Sequence, residues 1–198
     1  RRQQHAEKHR DSWGHRLLTA IFQSTTSRTA GFNTVNLASF SHATILFIGI
    51  LMFIGASPGS TGGGIKTTTV ATTAAYLRSY VLGRKRTEMR YRSLPEKTVE
   101  KAFLLIVLAI VLITLVFFLM LIFEPSLHFY QLLFEIVSAF GTVGLSLGVT
   151  SALGSAGKLL LMFTMFVGRI GPITLLLALS RAEPKAVITY PEEDVMIG

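Results

Sequence analysis

The sequence predicts an all-α membrane protein in which spanning helices alternate with short helices that lead into glycine-containing loops. Three observations predict it: one unbroken apolar run, two copies of a short helix followed by Thr-x-Gly, and a glycine-rich break in an apolar stretch.

The apolar run is 102–123, AFLLIVLAIVLITLVFFLMLIF, without a charge or a proline. At ~1.5 Å per residue it crosses a hydrocarbon core of ~30 Å. A buried helix of a soluble protein rarely stays apolar on every face over such a length. Composition alone decides less, because a chain 50% apolar and 15% charged is within reach of soluble domains. Two further apolar stretches are interrupted. Residues 42–56 end in a glycine-rich run, after which 65–77 resumes with small residues and threonines. Residues 159–179 are long enough to span but carry Arg169, Gly171 and Pro172 near the middle. The N-terminal stretch RRQQHAEKHRDSWGHR is polar and lacks the apolar centre of a signal peptide.

The net charge of +8 raises the question of nucleic acid. The basic residues gather in 78–101, as Arg78, Arg84, Lys85, Arg86, Arg90, Arg92, Lys97 and Lys101, opposed by Glu88, Glu96 and Glu100. This stretch joins two membrane segments, where a basic loop marks the cytoplasmic side. No aromatic stacking set or base-reading motif accompanies it, which argues against nucleic acid. With this loop inside, 41–77 runs inward, 102–123 runs outward, and 159–179 returns to a cytoplasmic tail. Arg181 and Lys185 join the inner side, while Arg1, Arg2, Lys8, Arg10 and Arg16 fall outside; ten against five favours this orientation.

The short helices are 16–27 (RLLTAIFQSTTS) and 130–140 (YQLLFEIVSAF), both amphipathic and too short to span. The first leads into Thr29, Ala30, Gly31, Phe32 and Asn33; the second into Thr142, Val143, Gly144, Leu145 and Ser146. A membrane helix follows each, so the arrangement is an internal repeat. Non-helical backbone at membrane depth is tolerated only inside protein or along a water-filled cavity. Glycine at Gly31 and Gly144 is free to take positive φ, which lets successive carbonyls face a shared channel and replace the water of a cation. The negative end of each short helix points the same way. Both devices favour a cation over an anion, and TVGLS is close to the TVGYG filter of potassium channels.

The run GASPGSTGGGIKTTT (55–69) superficially resembles a phosphate-binding loop, but Ile65 stands where that pattern needs lysine, and Lys66 comes one residue late. A helix break is the physical reading. Gly59, Gly62, Gly63 and Gly64 each cost about 1 kcal/mol in a helix interior, and Pro58 costs more. A charge in a spanning segment is unfavourable by at least ~2.5 kcal/mol, so Arg169 is expected to face a cavity or a partner. The carbonyls of 59–64 and Glu135 are its candidate partners; a capping or solvated role for Glu135 stays equally open. His5, His9, His15, His42 and His128 lack metal-ligand spacing on one helix, and cysteine is absent. No catalytic constellation is visible, so an enzyme is not expected.

QSTTSRTAGFNTVNL, IGASPGSTGGGIKTTT, FEIVSAFGTVGLSLG and MFVGRIGPITLL together resemble the Ktr/Trk/HKT superfamily of potassium transporters, and most of all its bacterial Ktr-type membrane subunits. The resemblance covers nearly the whole chain. It implies repeats of transmembrane helix, re-entrant pore helix with filter loop and transmembrane helix around a pseudo-fourfold pore. On that reading 1–80 is the later part of a third repeat, 81–97 a cytoplasmic basic loop, 98–182 the fourth repeat and 183–198 a cytoplasmic tail. The implied filter residues are Thr29, Ala30, Gly31, Phe32, Asn33, Thr142, Val143, Gly144, Leu145 and Ser146. On the same resemblance potassium would be held by the carbonyls of Thr29, Ala30, Gly31, Thr142, Val143 and Gly144. The implied gate comprises Gly59, Gly62, Gly63, Gly64, Lys66 and Arg169. The resemblance further implies plasma-membrane location with a cytoplasmic C-terminus, a homodimer and a cytoplasmic ring of nucleotide-binding regulatory subunits; it leaves open whether sodium acts as an activating or coupling ion. A less selective sodium/potassium pathway and a non-conducting membrane subunit are the alternative functions.

Overall fold

The computed structural model describes residues 13–60, 62–84, 86–89, 92–172 and 174. Arg1, Arg2, Lys8, Arg10, Lys85, Arg90 and the tail 183–198 lie outside the described residues. The chain is mostly helical: α1 (Trp13–Thr26), α2 (His42–Phe53), α3 (Thr67–Val81), α4 (Glu96–Phe123), α5 (Phe129–Gly141) and α6 (Ser155–Ile170). One departure from all-α is a two-residue antiparallel ladder, β1 (Glu88–Met89) with β2 (Arg92–Ser93), in the turn between α3 and α4.

Local chemistry sets the helix ends. Ser41 Oγ accepts the Thr44 N–H at 3.3 Å and opens α2. Gly83, at φ +63°, donates to the Tyr80 carbonyl and closes α3 with a left-handed cap. Because α3 reaches Val81 and α4 starts at Glu96, Arg78, Lys97 and Lys101 sit on helices rather than in the connecting turn. Within the turn Arg84 pairs with Glu88 at 3.0 Å; both side chains are half exposed, so the pair adds little stability.

Helix α4 is long and apolar enough to cross a membrane, and only 22% of its most apolar window is buried within the chain. A soluble core helix of that composition would be mostly covered. Here Ala109, Ile113, Val116 and Met120 form one buried stripe at helical spacing, while Ile110, Val111, Leu115 and Phe118 remain exposed. The stripe packs on Leu132, Ile136, Ala139 and Phe140 of α5 and Leu161 of α6. The other side of α5 presents Phe134 to Ile45, Ile48 and Met52 of α2. The short helix α5 is therefore the centre of the fold, flanked by α2, α4 and α6. The equivalent helix α1 is covered far less: Leu17 and Leu18 are 63% and 70% exposed.

The sequence places the last apolar span at 159–179. The structure starts that helix earlier, at Ser155, and ends it at Ile170, where Gly171 takes φ +95°; 175–179 lie outside the described residues. The early start has a visible cause. Glu124, 8% exposed, ends α4 and accepts the Gly154 N–H at 2.7 Å, satisfying a free donor at the head of α6. A Cβ on Gly154 or Gly157 would stand within 3.0 Å of the Glu124 carboxylate, so both glycines allow the approach. Glu124→Ala should destabilise the protein by about 1–3 kcal/mol, the range for orphaning a buried donor. A lowered unfolding midpoint of the complete protein in detergent is the readout.

Candidate functional site

The two Thr-x-Gly loops lie side by side. Gly31, at φ +65°, packs so closely on the second loop that a Cβ there would collide with the Val143 carbonyl. The loops also close alike. The Gly31 N–H donates to the Thr26 carbonyl at 3.2 Å, and the Val143 N–H donates to the Ser138 carbonyl at 3.0 Å, each reaching back five residues. Thr142 supplies the left-handed turn (φ 51°, ψ 36°) that takes the chain off α5.

Beyond that turn the second loop is extended and alternates. Val143, Leu145, Leu147 and Val149 are buried, whereas Gly144, Gly148 and Thr150 are exposed. Val143, Leu145 and Leu147 pack with Leu37 and the inner face of α2. The loop is thus anchored by every second side chain, in the manner of a strand. The apolar spacing of T-V-G-L-S-L-G-V carried that signal, which the pentapeptide alone is too short to show. The first loop has weaker anchors. Thr26 Oγ1 donates to the Phe32 carbonyl at 2.9 Å, Thr29 Oγ1 donates to the Thr25 carbonyl at 3.2 Å, and Asn33 Oδ1 accepts the Val35 N–H at 3.1 Å. Ala30 and the Phe32 ring face outward, the latter 71% exposed.

The second loop has one more anchor. Glu135, on α5 and 4% exposed, lies behind it. Its Oε1 accepts from the Leu147 N–H at 3.1 Å and from the Ser146 hydroxyl, and its Oε2 accepts from the Thr150 hydroxyl at 2.9 Å. Glu135 is therefore engaged with the loop and is not the partner of Arg169. A lone carboxyl on a short helix gives no spacing signal for this, since its partners follow 11 to 15 residues later.

The glycine run interrupts α2 and α3 as expected. The chain returns beside the end of α2, with Ile65 bridged to Ile54 and the Ile65 N–H on the Phe53 carbonyl at 3.2 Å. Between those points it presses against the C-terminal ends of both short helices. A Cβ on Gly62 would lie 3.2 Å from the Arg28 carbonyl, and one on Gly63 would lie 2.7 Å from Thr142 Oγ1. The Gly63 N–H donates to Thr142 Oγ1 at 2.9 Å, and the Gly64 N–H donates to the Gly168 carbonyl at 3.3 Å. Lys66 Nζ donates to the Gly62 carbonyl at 2.7 Å and braces the run from within. Gly59, at φ +87°, sits at the exposed tip.

Helix α6 meets this run at Gly168, not through the arginine beside it. A Cβ on Gly168 would strike the Phe140 carbonyl, so the glycine is what lets α6 reach the end of α5. Arg169 occupies the last turn of α6 rather than its middle, and is exposed. Among the described residues its side chain has no bond to the carbonyls of the run. No group of three His, Asp or Glu side chains is placed to hold a metal ion among the described residues.

The cation transport protein model of the TrkH family matches residues 9–189. The Ktr system potassium uptake protein D of Bacillus subtilis (strain 168) is 42% identical over 187 residues, covering 94% of this chain and 41% of that protein. The potassium/sodium uptake protein NtpJ of Enterococcus hirae is 35% identical over 190 residues, covering 92% of this chain and 42% of that protein. The crystal structure of the potassium transporter TrkH from Vibrio parahaemolyticus superposes with a TM-score of 0.66 at 22% identity, over 82% of this chain and 36% of that one. This chain thus spans about two-fifths of the length of the curated relatives it matches. With a family match over most of its residues and a shared fold, the chain belongs to the TrkH cation transport family, as its Thr-x-Gly and glycine-run motifs led us to expect.

Proposed function

We propose that this chain supplies two walls of a pseudo-fourfold pore for selective potassium uptake across the plasma membrane, and that it is not an enzyme. The observation that carries the reading is the direct contact of the Thr29–Gly31 and Thr142–Gly144 loops above a glycine run that touches both helix ends. Potassium would be coordinated by the carbonyls of Thr29, Ala30 and Gly31 and of Thr142, Val143 and Gly144. The largely uncovered apolar face of α1 is where the remaining walls would pack.

In this arrangement the run 59–64 obstructs the pore on its inner side, and Lys66 holds it in shape. Arg169, one residue past the Gly168 contact, adds a positive charge near that obstruction. The orientation follows from the basic turn between α3 and α4, with the C-terminus cytoplasmic. The division into third repeat (1–80), basic loop (81–97), fourth repeat (98–182) and tail (183–198) goes with it. As in the resemblance, the unit is a homodimer over a nucleotide-binding ring, which the turn and the tail are on the correct side to meet. The similarity to a potassium/sodium uptake protein favours one second reading, a pathway that also admits sodium or is activated by it.

Gly144 gives a clean test. It has φ +88°, and a Cβ added there would meet no atom within 4 Å, so a side chain disturbs backbone direction without a clash. Gly144→Ser in the complete protein should lower the preference for potassium over sodium several-fold at normal membrane abundance. Unchanged selectivity in potassium and sodium flux titrations would remove the filter assignment.

A further inference from the structure

The geometry points to Glu135 as a positioning residue that fixes the ion-facing backbone of the second loop from behind. This inference rests on the filter reading proposed above and deepens it, by naming what holds one quarter of the filter in register.

A carboxyl group buried in a membrane protein is costly unless its oxygens are satisfied. Those of Glu135 are satisfied entirely by the loop: a backbone N–H at Leu147, and the hydroxyls of Ser146 and Thr150. Ser146 and Thr150 also lie 2.9 Å apart; with both hydroxyl protons on the carboxyl, this is a close contact that keeps the two groups together. Ser146 Oγ in turn accepts the Gly148 N–H at 2.9 Å. The network spans 146–150, beginning two residues after Gly144, and links the loop to a helix packed on α2, α4 and α6. A lateral shift of the loop would break several of these bonds together.

The first half of the chain supplies a contrast. The carbonyls of Thr26 and Ser138 each receive a bond from five residues on, and Gln23 and Glu135 each lie three residues before those carbonyls, although counted from the Thr-x-Gly motifs the two side chains are one position out of step. Gln23 is 5% exposed, yet neither its Oε1 nor its Nε2 has a hydrogen-bond partner among the described residues. The amide therefore does not tie the first loop, whose side-chain bonds come instead from Thr26, Thr29 and Asn33. The two quarters are built on one plan, and among the described residues only the second has a carboxyl clamp. A role in folding alone would make Glu135 matter for protein abundance; a positioning role makes it matter for which ion passes.

The experiment measures potassium uptake and its competition by sodium in proteoliposomes holding the complete protein, with transporter quantified in each preparation. The variants are Glu135→Gln, Glu135→Leu and the pair Ser146→Ala with Thr150→Val, which removes both hydroxyl donors and leaves the carboxyl. The potassium-to-sodium preference should fall several-fold in Glu135→Leu and in the paired variant. It should fall less in Glu135→Gln, whose Oε1 still accepts the Leu147 N–H. Should Glu135→Leu fail to fold, the paired variant still reads the preference. Altered abundance with wild-type preference in Glu135→Gln and the paired variant would overturn the assignment. Gly144→Ser is measured alongside: if it shifts the preference and the clamp variants do not, the positioning role alone fails. If Gly144→Ser leaves the preference intact, the filter reading falls and this inference with it.

Discussion

Gly31→Ala is expected to abolish selective uptake, whereas Gly144→Ala should leave a folded protein with altered selectivity. Both glycines sit at positive φ, where an L-residue costs about 1–2 kcal/mol. They differ in what surrounds them. The Cβ of an alanine at position 31 would be driven into the Val143 carbonyl, with Val143 C and Gly144 C also within 3.0 Å. These are backbone atoms of the neighbouring loop, and that loop is anchored by buried Val143, Leu145 and Leu147. It cannot yield as a flexible side chain would, so overpacking of about 1–3 kcal/mol adds to the backbone term. Relief requires the two loops to part, which moves the proposed ion-binding carbonyls of both. At Gly144 nothing lies within 4 Å and only the backbone term applies. Potassium uptake and membrane abundance measured side by side for the two variants check this ordering. Equal behaviour of the two would mean that the loops are not in contact in the working protein.

How much of this was legible in the sequence depends on the range of the interaction. The spanning character of α4 was open to reading because it is a property of one continuous run, and the repeated short helix with Thr-x-Gly because it recurs. The break between α2 and α3 was legible from glycine and proline propensities alone. What the sequence withheld are contacts between distant segments. Nothing in the sequence singles out Gly168, yet its lack of a side chain is what admits the Phe140 carbonyl, and its own carbonyl accepts the Gly64 N–H. Glu135 and Glu124 are single carboxyls on apolar helices, and nothing local tells which backbone donors fold back to meet them. The start of α6 was misplaced for a related reason. Its head is fixed by Glu124 from another helix, while the interruption read at Gly171 is present, at φ +95°.

Loosening the glycine run should raise potassium flux, and Thr142→Val is the most specific way to do it. Thr142 Oγ1 accepts the Gly63 N–H at 2.9 Å, the one side-chain bond from α5 and its loop to the run among the described residues. Valine keeps the β-branched shape, so the left-handed turn at 142 is retained while the acceptor is lost. The Gly63 N–H is then left without its partner at a partly buried site, an outcome that costs about 1–3 kcal/mol and favours conformations in which the run has moved away. The Gly64 bond to the Gly168 carbonyl remains and should limit the displacement. Removing 59–64 is the stronger perturbation. It eliminates both tethers, yet residues 55–58 can still close the turn, because Ile54 and Ile65 already lie side by side. If the run obstructs the pore, flux per transporter should rise several-fold in Thr142→Val and further in the deletion. Gly59→Ala at the exposed tip bears only the backbone cost of its φ of +87°, about 1–2 kcal/mol, and cuts neither tether, so flux should rise less there than in Thr142→Val. Flux at or below the normal level in both loosened variants, at normal abundance, would mean that the run supports the loops from below without closing the path between them.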